Sequence, residues 1–275
     1  MIKDIVVNLG LGERDPAGEF AVSLAEKFEA HVLGVAFAYE PIIPGSVMGG
    51  IPPDFIEAQR AESEQKARTA LARFEASAKR SSLSAETRVL TASISAAAET
   101  LGRIARRFDL AVVGQPEREN AVSAEVVDEG VLFESGRPVV FVPYIFKGPA
   151  KLDRIMVCWD GSRAATRAVA DSLPLLKKAK QVEVVIVATG RPKSDEVPGA
   201  DLGQHLARHG LKVDVKRITS PDIDVPSTIL SYAADSSADM IVMGGYGHSR
   251  LREFVLGGVT RGLLESMTVP VLMSH

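Results

Sequence analysis

The chain says nearly the same thing twice. Ile5-Val6-Val7 has its counterpart in Ile155-Met156-Val157, and Phe108-Asp109-Leu110-Ala111-Val112-Val113-Gly114 in Ala238-Asp239-Met240-Ile241-Val242-Met243-Gly244. Gly130-Val131-Leu132 through Pro138-Val139-Val140 likewise matches Gly262-Leu263-Leu264 through Pro270-Val271-Leu272. Each copy is long enough to be a domain, and 275 residues suit two domains of ordinary size. The join falls near Pro143 to Lys151, where Pro143, Gly148 and Pro149 punctuate the chain. The expected domains are therefore 1–146 and 152–275.

Within each half, short Val/Ile-rich runs alternate with longer stretches of helical periodicity. The first half predicts strands near 3–8, 31–38, 86–91, 109–114 and 138–142, with helices near 15–28, 54–80, 95–107 and 124–135. The second predicts strands near 153–159, 181–188, 212–218, 239–243 and 270–273. Such alternation implies parallel strands joined by right-handed crossovers, with helices on both faces of the sheet. The strands lack a period-2 pattern, as strands buried on both faces should. Ser95 is the expected N-cap of its helix, which repeats Ala98, Leu101, Ile104 and Ala105 on one face. The helix from Asp54 to Arg80 carries Phe55, Ile56, Leu71 and Phe74 among many alanines and reads as a surface helix with a narrow apolar stripe. Tyr39 to Pro53, with four prolines and three glycines, reads as an ordered surface loop or flap.

Composition narrows the function classes. A net charge of −3 and the absence of a Lys/Arg block give no electrostatic reason for nucleic-acid binding. The single cysteine, Cys158, excludes an intrachain disulfide framework and fits a reducing compartment. The first residues run straight into a strand without a signal peptide's regions, and no apolar run approaches the roughly 20 residues that span a bilayer. A soluble, cytoplasmic protein is expected.

Chemistry concentrates in the second half. Gly244-Gly245-Tyr246-Gly247 is followed by nine residues and then by Gly257-Gly258. Asp239 to Met243 before it reads as a buried strand. Val259, Leu263, Leu264 and Met267 after it fall at helical spacing. Glycine admits backbone N–H groups close to a ligand, and a helix N-terminus supplies unpaired donors and a positive dipole end, so this strand–loop–helix arrangement suits a phosphate. Tight turns and close helix–sheet packing are the bland alternative. The Gly-x2-Gly-x9-Gly spacing resembles the nucleotide loop of the universal stress protein family, in which the last glycine is normally followed by Ser or Thr. Here that position is Gly258.

A second element supports the resemblance. Val157-Cys158-Trp159 leads into Asp160-Gly161-Ser162 and an Ala/Val-rich helix. This resembles the Asp-Gly-Ser after the first strand in the family, whose aspartate contacts the nucleoside end of ATP. Plain helix capping is the rival reading. The resemblance implies the strand order 3-2-1-4-5, in which strands one and four are neighbours and their connections diverge. Open α/β sheets place ligands in that crevice. Asp160 ends strand one and Gly244 ends strand four, so both would flank it. The site residues implied are Asp160, Gly161, Ser162, Gly244, Gly247, His248, Gly257, Gly258, Val259 and Thr260, around ATP or a related adenine nucleotide with Mg. The implied fold is two Rossmann-like domains (adenine-nucleotide alpha-hydrolase-like), each with a five-stranded parallel sheet, packed as an intramolecular pseudo-dimer.

The first half has lost these features. Gly10 stands where Asp160 stands, Gly114-Gln115-Pro116-Glu117 replaces Gly-x2-Gly, and Glu125-Val126 replaces Gly257-Gly258. Glu117 and Glu125 would repel a phosphate and Pro116 removes a donor, so no nucleotide is expected there. In the second half, Gly258 deprives the site of a hydroxyl. A hydrogen bond to a charged group contributes roughly 1.5–3 kcal/mol, so affinity would fall by about one to two orders of magnitude. Thr260 is a candidate substitute.

Other candidates carry less. His205 and His209 stand four apart on an expected helix, a metal-compatible spacing with no cysteine nearby. Ser162 and Ser249 lack a nucleophile elbow, and no P-loop lysine motif occurs. No catalytic residue and no metal site is assigned. The chain reads as a stress-response binding or regulatory protein, with an adenine nucleotide and a homodimer or protein partner as its contacts, and without nucleic acid or membrane. A structural protein with a dead second pocket is the first alternative. A slow ATPase or small-nucleotide hydrolase, using His248 and Asp160, is the second.

Overall fold

A computed structural model describes residues 1–41, 52–115, 127, 130–188, 199–219, 224–246 and 258–275. It divides into two compact units: Met1–Ser135 with Lys147–Pro149, and Gly136–Phe146 with Ala150–His275. The first contains β1 (Asp4–Asn8), α1 (Pro16–Phe28), β2 (His31–Tyr39), α2 (Pro53–Arg80), β3 (Ala85–Ala92), α3 (Ile94–Ala105) and β4 (Leu110–Gly114). Residues 130–135 are helical. The second contains β5 (Val139–Val142), β6 (Arg154–Cys158), α4 (Arg163–Leu176), β7 (Gln181–Ala188), α5 (Ala200–Arg208), β8 (Val213–Thr219), α6 (Val225–Asp235), β9 (Met240–Gly244), α7 (Val259–Ser266) and β10 (Val271–Ser274).

Both units repeat one topology. The first orders its strands β3-β2-β1-β4, all parallel. The second orders β8-β7-β6-β9-β10, also parallel, which is the expected 3-2-1-4-5. Ile5, Val6 and Val7 of β1 and Ile155, Met156 and Val157 of β6 are wholly buried, which explains why these central strands read as continuous apolar runs. β5, by sequence the last strand of the first repeat, pairs antiparallel with β10 in the register Val139↔Met273, Val140↔Leu272, Phe141↔Val271. It thereby falls in the second compact unit. An antiparallel ladder is unchanged when its two strands are exchanged, so the equivalent strands of two repeats can pair with each other.

The repeat extends to its hydrogen bonds. Asp109 accepts the amides of Lys3 (2.7 Å) and Asp4 (3.1 Å), and its counterpart Asp239 accepts the amide of Arg154 (2.9 Å). Each aspartate thus ties the start of its unit's central strand to the start of the neighbouring one. Two local expectations shift. Ser93 rather than Ser95 caps α3, its hydroxyl accepting the Ala96 amide at 3.4 Å; the cap sits where the hydroxyl reaches the third residue onward. In α2 the buried stripe is confined to Ala67, Ala70, Leu71, Phe74 and Ala78, while Phe55 near the helix start is 56% exposed. Most of the proline- and glycine-rich stretch after β2 lies outside the described residues. Among the described residues no helix is long and apolar enough to cross a membrane.

Candidate functional site

The end of β6 is built by a short turn. The amide of Trp159 still donates to Val185 at 2.9 Å, one residue past the strand, and the chain then leaves the sheet. Gly161 takes φ +75°, a left-handed conformation that suits a residue without Cβ. Asp160 accepts the Ser162 amide at 2.9 Å, and Ser162 in turn N-caps α4 by accepting the Ala165 amide at 3.1 Å. Asp160 is exposed. A carboxylate offers about four acceptor positions, so holding Ser162 leaves capacity for the hydroxyl or amine donors of a ligand.

β9 lies directly beside β6, with Ile155↔Met240, Met156↔Ile241 and Val157↔Val242 in register. A Cβ added to Gly244 would sit 2.5 Å from the Ala165 amide nitrogen and 2.7 Å from the Ala164 carbonyl carbon. The end of β9 therefore rests on the first turn of α4, whose N-cap is Ser162. Beyond it, Gly245 donates to the Ser274 carbonyl (2.9 Å), and the His275 ring donates from Nδ1 to the Gly245 carbonyl (3.1 Å). Tyr246 has φ +49°, and its amide donates to the Thr260 hydroxyl at 3.2 Å. α7 then begins behind Gly258, an N-cap with no side chain to bond the first amides.

A short acidic turn and an uncapped helix start, on the same end of neighbouring parallel strands, accompany a sequence match. Residues 151–275 match the Universal stress protein family. The matched residues are those of the second repeat. A universal stress protein of Synechocystis is 26% identical over 147 residues, which are 52% of this chain and 49%, about half, of that relative's length. A universal stress protein from Archaeoglobus fulgidus has the same fold over 98% of this chain and 94% of its own, at 18% identity and a TM-score of 0.73. A universal stress protein solved in complex with cAMP aligns over 45% of this chain and 97% of its own, at 15% identity and a TM-score of 0.36.

In the second repeat, Asp160, Gly161, Ser162 and Gly244 come together at the carboxyl ends of β6 and β9. Gly258, Val259 and Thr260 form the start of α7, joined to the end of β9 through Tyr246. Gly247, His248 and Gly257 lie outside the described residues, as do Pro116, Glu117, Glu125 and Val126 of the first half. The Cys158 thiol is pushed up to about 12, chiefly by burial and further by the Asp160 carboxylate, so it stays protonated at neutral pH and is no nucleophile. The His205 and His209 rings pack edge-on with centroids 4.8 Å apart. Among the described residues no group of three or more His, Cys, Asp or Glu is placed to hold a metal.

The first repeat shows what sequence reasoning missed. Leu9 donates to Val35 at 2.8 Å as Trp159 does to Val185, which makes Gly10 the structural counterpart of Asp160. The loop that follows is longer, ending at Asp15, which caps α1 by accepting the Gly18 amide at 3.0 Å. Arg73 of α2 reaches across it: Nη1 donates to the Gly12 and Glu13 carbonyls (2.8 Å each) and Nη2 to the Gly10 carbonyl (2.9 Å). Burial pushes the Asp15 carboxyl above its ordinary range, against the pull of the Gly18 and Gly10 amides and of Arg73. In the sequence Arg73 is one arginine among several on a charged helix, with nothing to mark it. Tyr246 is equally silent there, since its left-handed backbone belongs by default to glycine.

Proposed function

We propose that the second repeat binds an adenine nucleotide at the carboxyl ends of β6 and β9 and acts as a regulatory binding protein in stress tolerance rather than as an enzyme. The Asp160 carboxylate takes donors of the sugar or base. The first amides of α7, behind Gly258, take phosphate together with the glycine loop that contains Gly247, His248 and Gly257. Magnesium accompanies the phosphates. Occupancy then tunes contact with a second copy or another protein partner. The observation that carries this reading is the close approach of Gly244 to α4, which sets the end of β9 beside the Asp160–Ser162 turn.

A second reading, an interaction protein with no ligand here, draws on the same contact. Packing alone accounts for a glycine at 244, and Asp160 already holds the Ser162 amide. Titration calorimetry with Mg-ATP separates the two. The binding reading expects a weak site, lost in Asp160→Ala; no heat up to millimolar nucleotide leaves the interaction protein.

A further inference from the structure

The start of α7 is held in an unusual way. A threonine in a helix usually bonds a carbonyl of its own helix or water. Thr260 instead accepts an amide from Tyr246, fourteen residues earlier, and the residue is only 4% exposed. Tyr246 makes this contact from a left-handed backbone at φ +49°, a conformation that an ordinary side chain holds only where its surroundings over-determine it. On the other side, Gly245 is fixed to Ser274 of β10 through its amide and to His275 through its carbonyl. The residues just beyond β9 are therefore clamped between the end of β10 and α7. The N-caps of α4 and α6 are gripped by Ser162 and Asp224, whereas Gly258 brings no side chain to α7.

We propose that Thr260 is a positioning residue whose hydroxyl latches Tyr246 to the first turn of α7 and so fixes the helix start against the end of β9. Thr260 then does not replace the hydroxyl missing at Gly258. It holds in place the amides that receive the phosphate, and in that respect the inference rests on the binding reading above. The latch itself exists without ligand, which lets the two be tested apart.

Amide-resolved hydrogen exchange on the full chain without nucleotide is the direct test. In Thr260→Val, Tyr246 exchanges roughly five- to tenfold faster, as loss of one ordinary hydrogen bond implies, while Ile241 and Val242 of β9 are unchanged. Thr260→Ser restores Tyr246 to near the wild-type rate, and Thr260→Ala repeats the loss should the valine variant not fold. In parallel calorimetry with Mg-ATP, Thr260→Val binds about tenfold more weakly, as the same lost hydrogen bond implies, and Thr260→Ser near wild type. Unchanged Tyr246 exchange in the valine and alanine variants overturns the latch. Weakened Mg-ATP binding with unchanged exchange makes Thr260 a direct ligand and overturns it too. Wild-type protein that takes no Mg-ATP sinks the binding reading, while faster Tyr246 exchange in Thr260→Val would still establish the latch.

Discussion

After β1, Leu9 donates to the neighbouring strand and the chain loops from Gly10 to Asp15 before α1 begins. After β6, Trp159 makes the same bond, and Asp160 to Ser162 suffice to start α4. The difference in loop length decides what each switch point presents. The short turn brings the first turn of α4 against the end of β9 and leaves a carboxylate outside. The long loop gathers the carbonyls of Gly10, Gly12 and Glu13 around the Arg73 guanidinium. These carbonyls occupy donors of the Arg73 fork, which ties the loop to α2. Two copies of one topology thus differ at this strand end, and an arginine from α2 occupies one of them.

The largest expected effect lies in the strand-end glycines. A Cβ at Gly244 meets backbone at 2.5 Å, whereas one at its counterpart Gly114 meets, among the described residues, only the Ala17 Cβ at 3.7 Å, an ordinary contact. Gly244→Ala should therefore destabilise by about 1–3 kcal/mol, since backbone must move. Gly114→Ala should stay within about 0.5 kcal/mol of wild type. Urea unfolding of both variants reads this directly, and equal losses would mean that the tight approach is not what separates the repeats.

Arg73 comes next. Arg73→Ala removes three hydrogen bonds to the loop from Gly10 to Glu13 and should cost about 1–3 kcal/mol, tempered by water reaching the freed carbonyls. Arg73→Lys keeps the charge but not the planar fork that spans these carbonyls, so it should recover only part of the loss. Full recovery in denaturant titration would show that charge alone holds the loop.

Element types, their order and the duplication were legible because buried parallel strands must read as apolar runs and surface helices must keep a 3.6-residue period. The 3-2-1-4-5 order was not in the periodicity; it came with the resemblance carried by Gly244 and Asp160. Asp160, Gly161 and Ser162 were legible because turns and caps draw on a small residue set. What stayed hidden depends on distant partners. Ser93 and Ser95 offer equivalent caps until the helix chooses its start. Arg73 and Thr260 act through residues far along the chain, and neither residue type signals its partner. The antiparallel pairing of β5 with β10 was equally unreadable, since Val139–Val142 has the same composition in either orientation.

The smallest effect concerns Asp15, and its sign distinguishes burial from attraction by Arg73. Burial dominates and raises the folded carboxyl above its ordinary 3.8, so folded protein holds a proton that unfolded chain releases between that value and the raised one. The resulting stability is full below pH 3.8, declines as pH rises through the window, and is absent above the raised value. An Asp15→Asn variant keeps a side-chain oxygen for the Gly18 amide but cannot ionise. The difference in unfolding free energy, wild type minus Asp15→Asn, should thus fall from about pH 4 upward and then level off. Urea midpoints from acid to neutral pH measure it. A difference that climbs with pH would mean that the ionised carboxylate and Arg73 act as a favourable pair, and the first switch point would then be held by charge attraction on both sides of its loop.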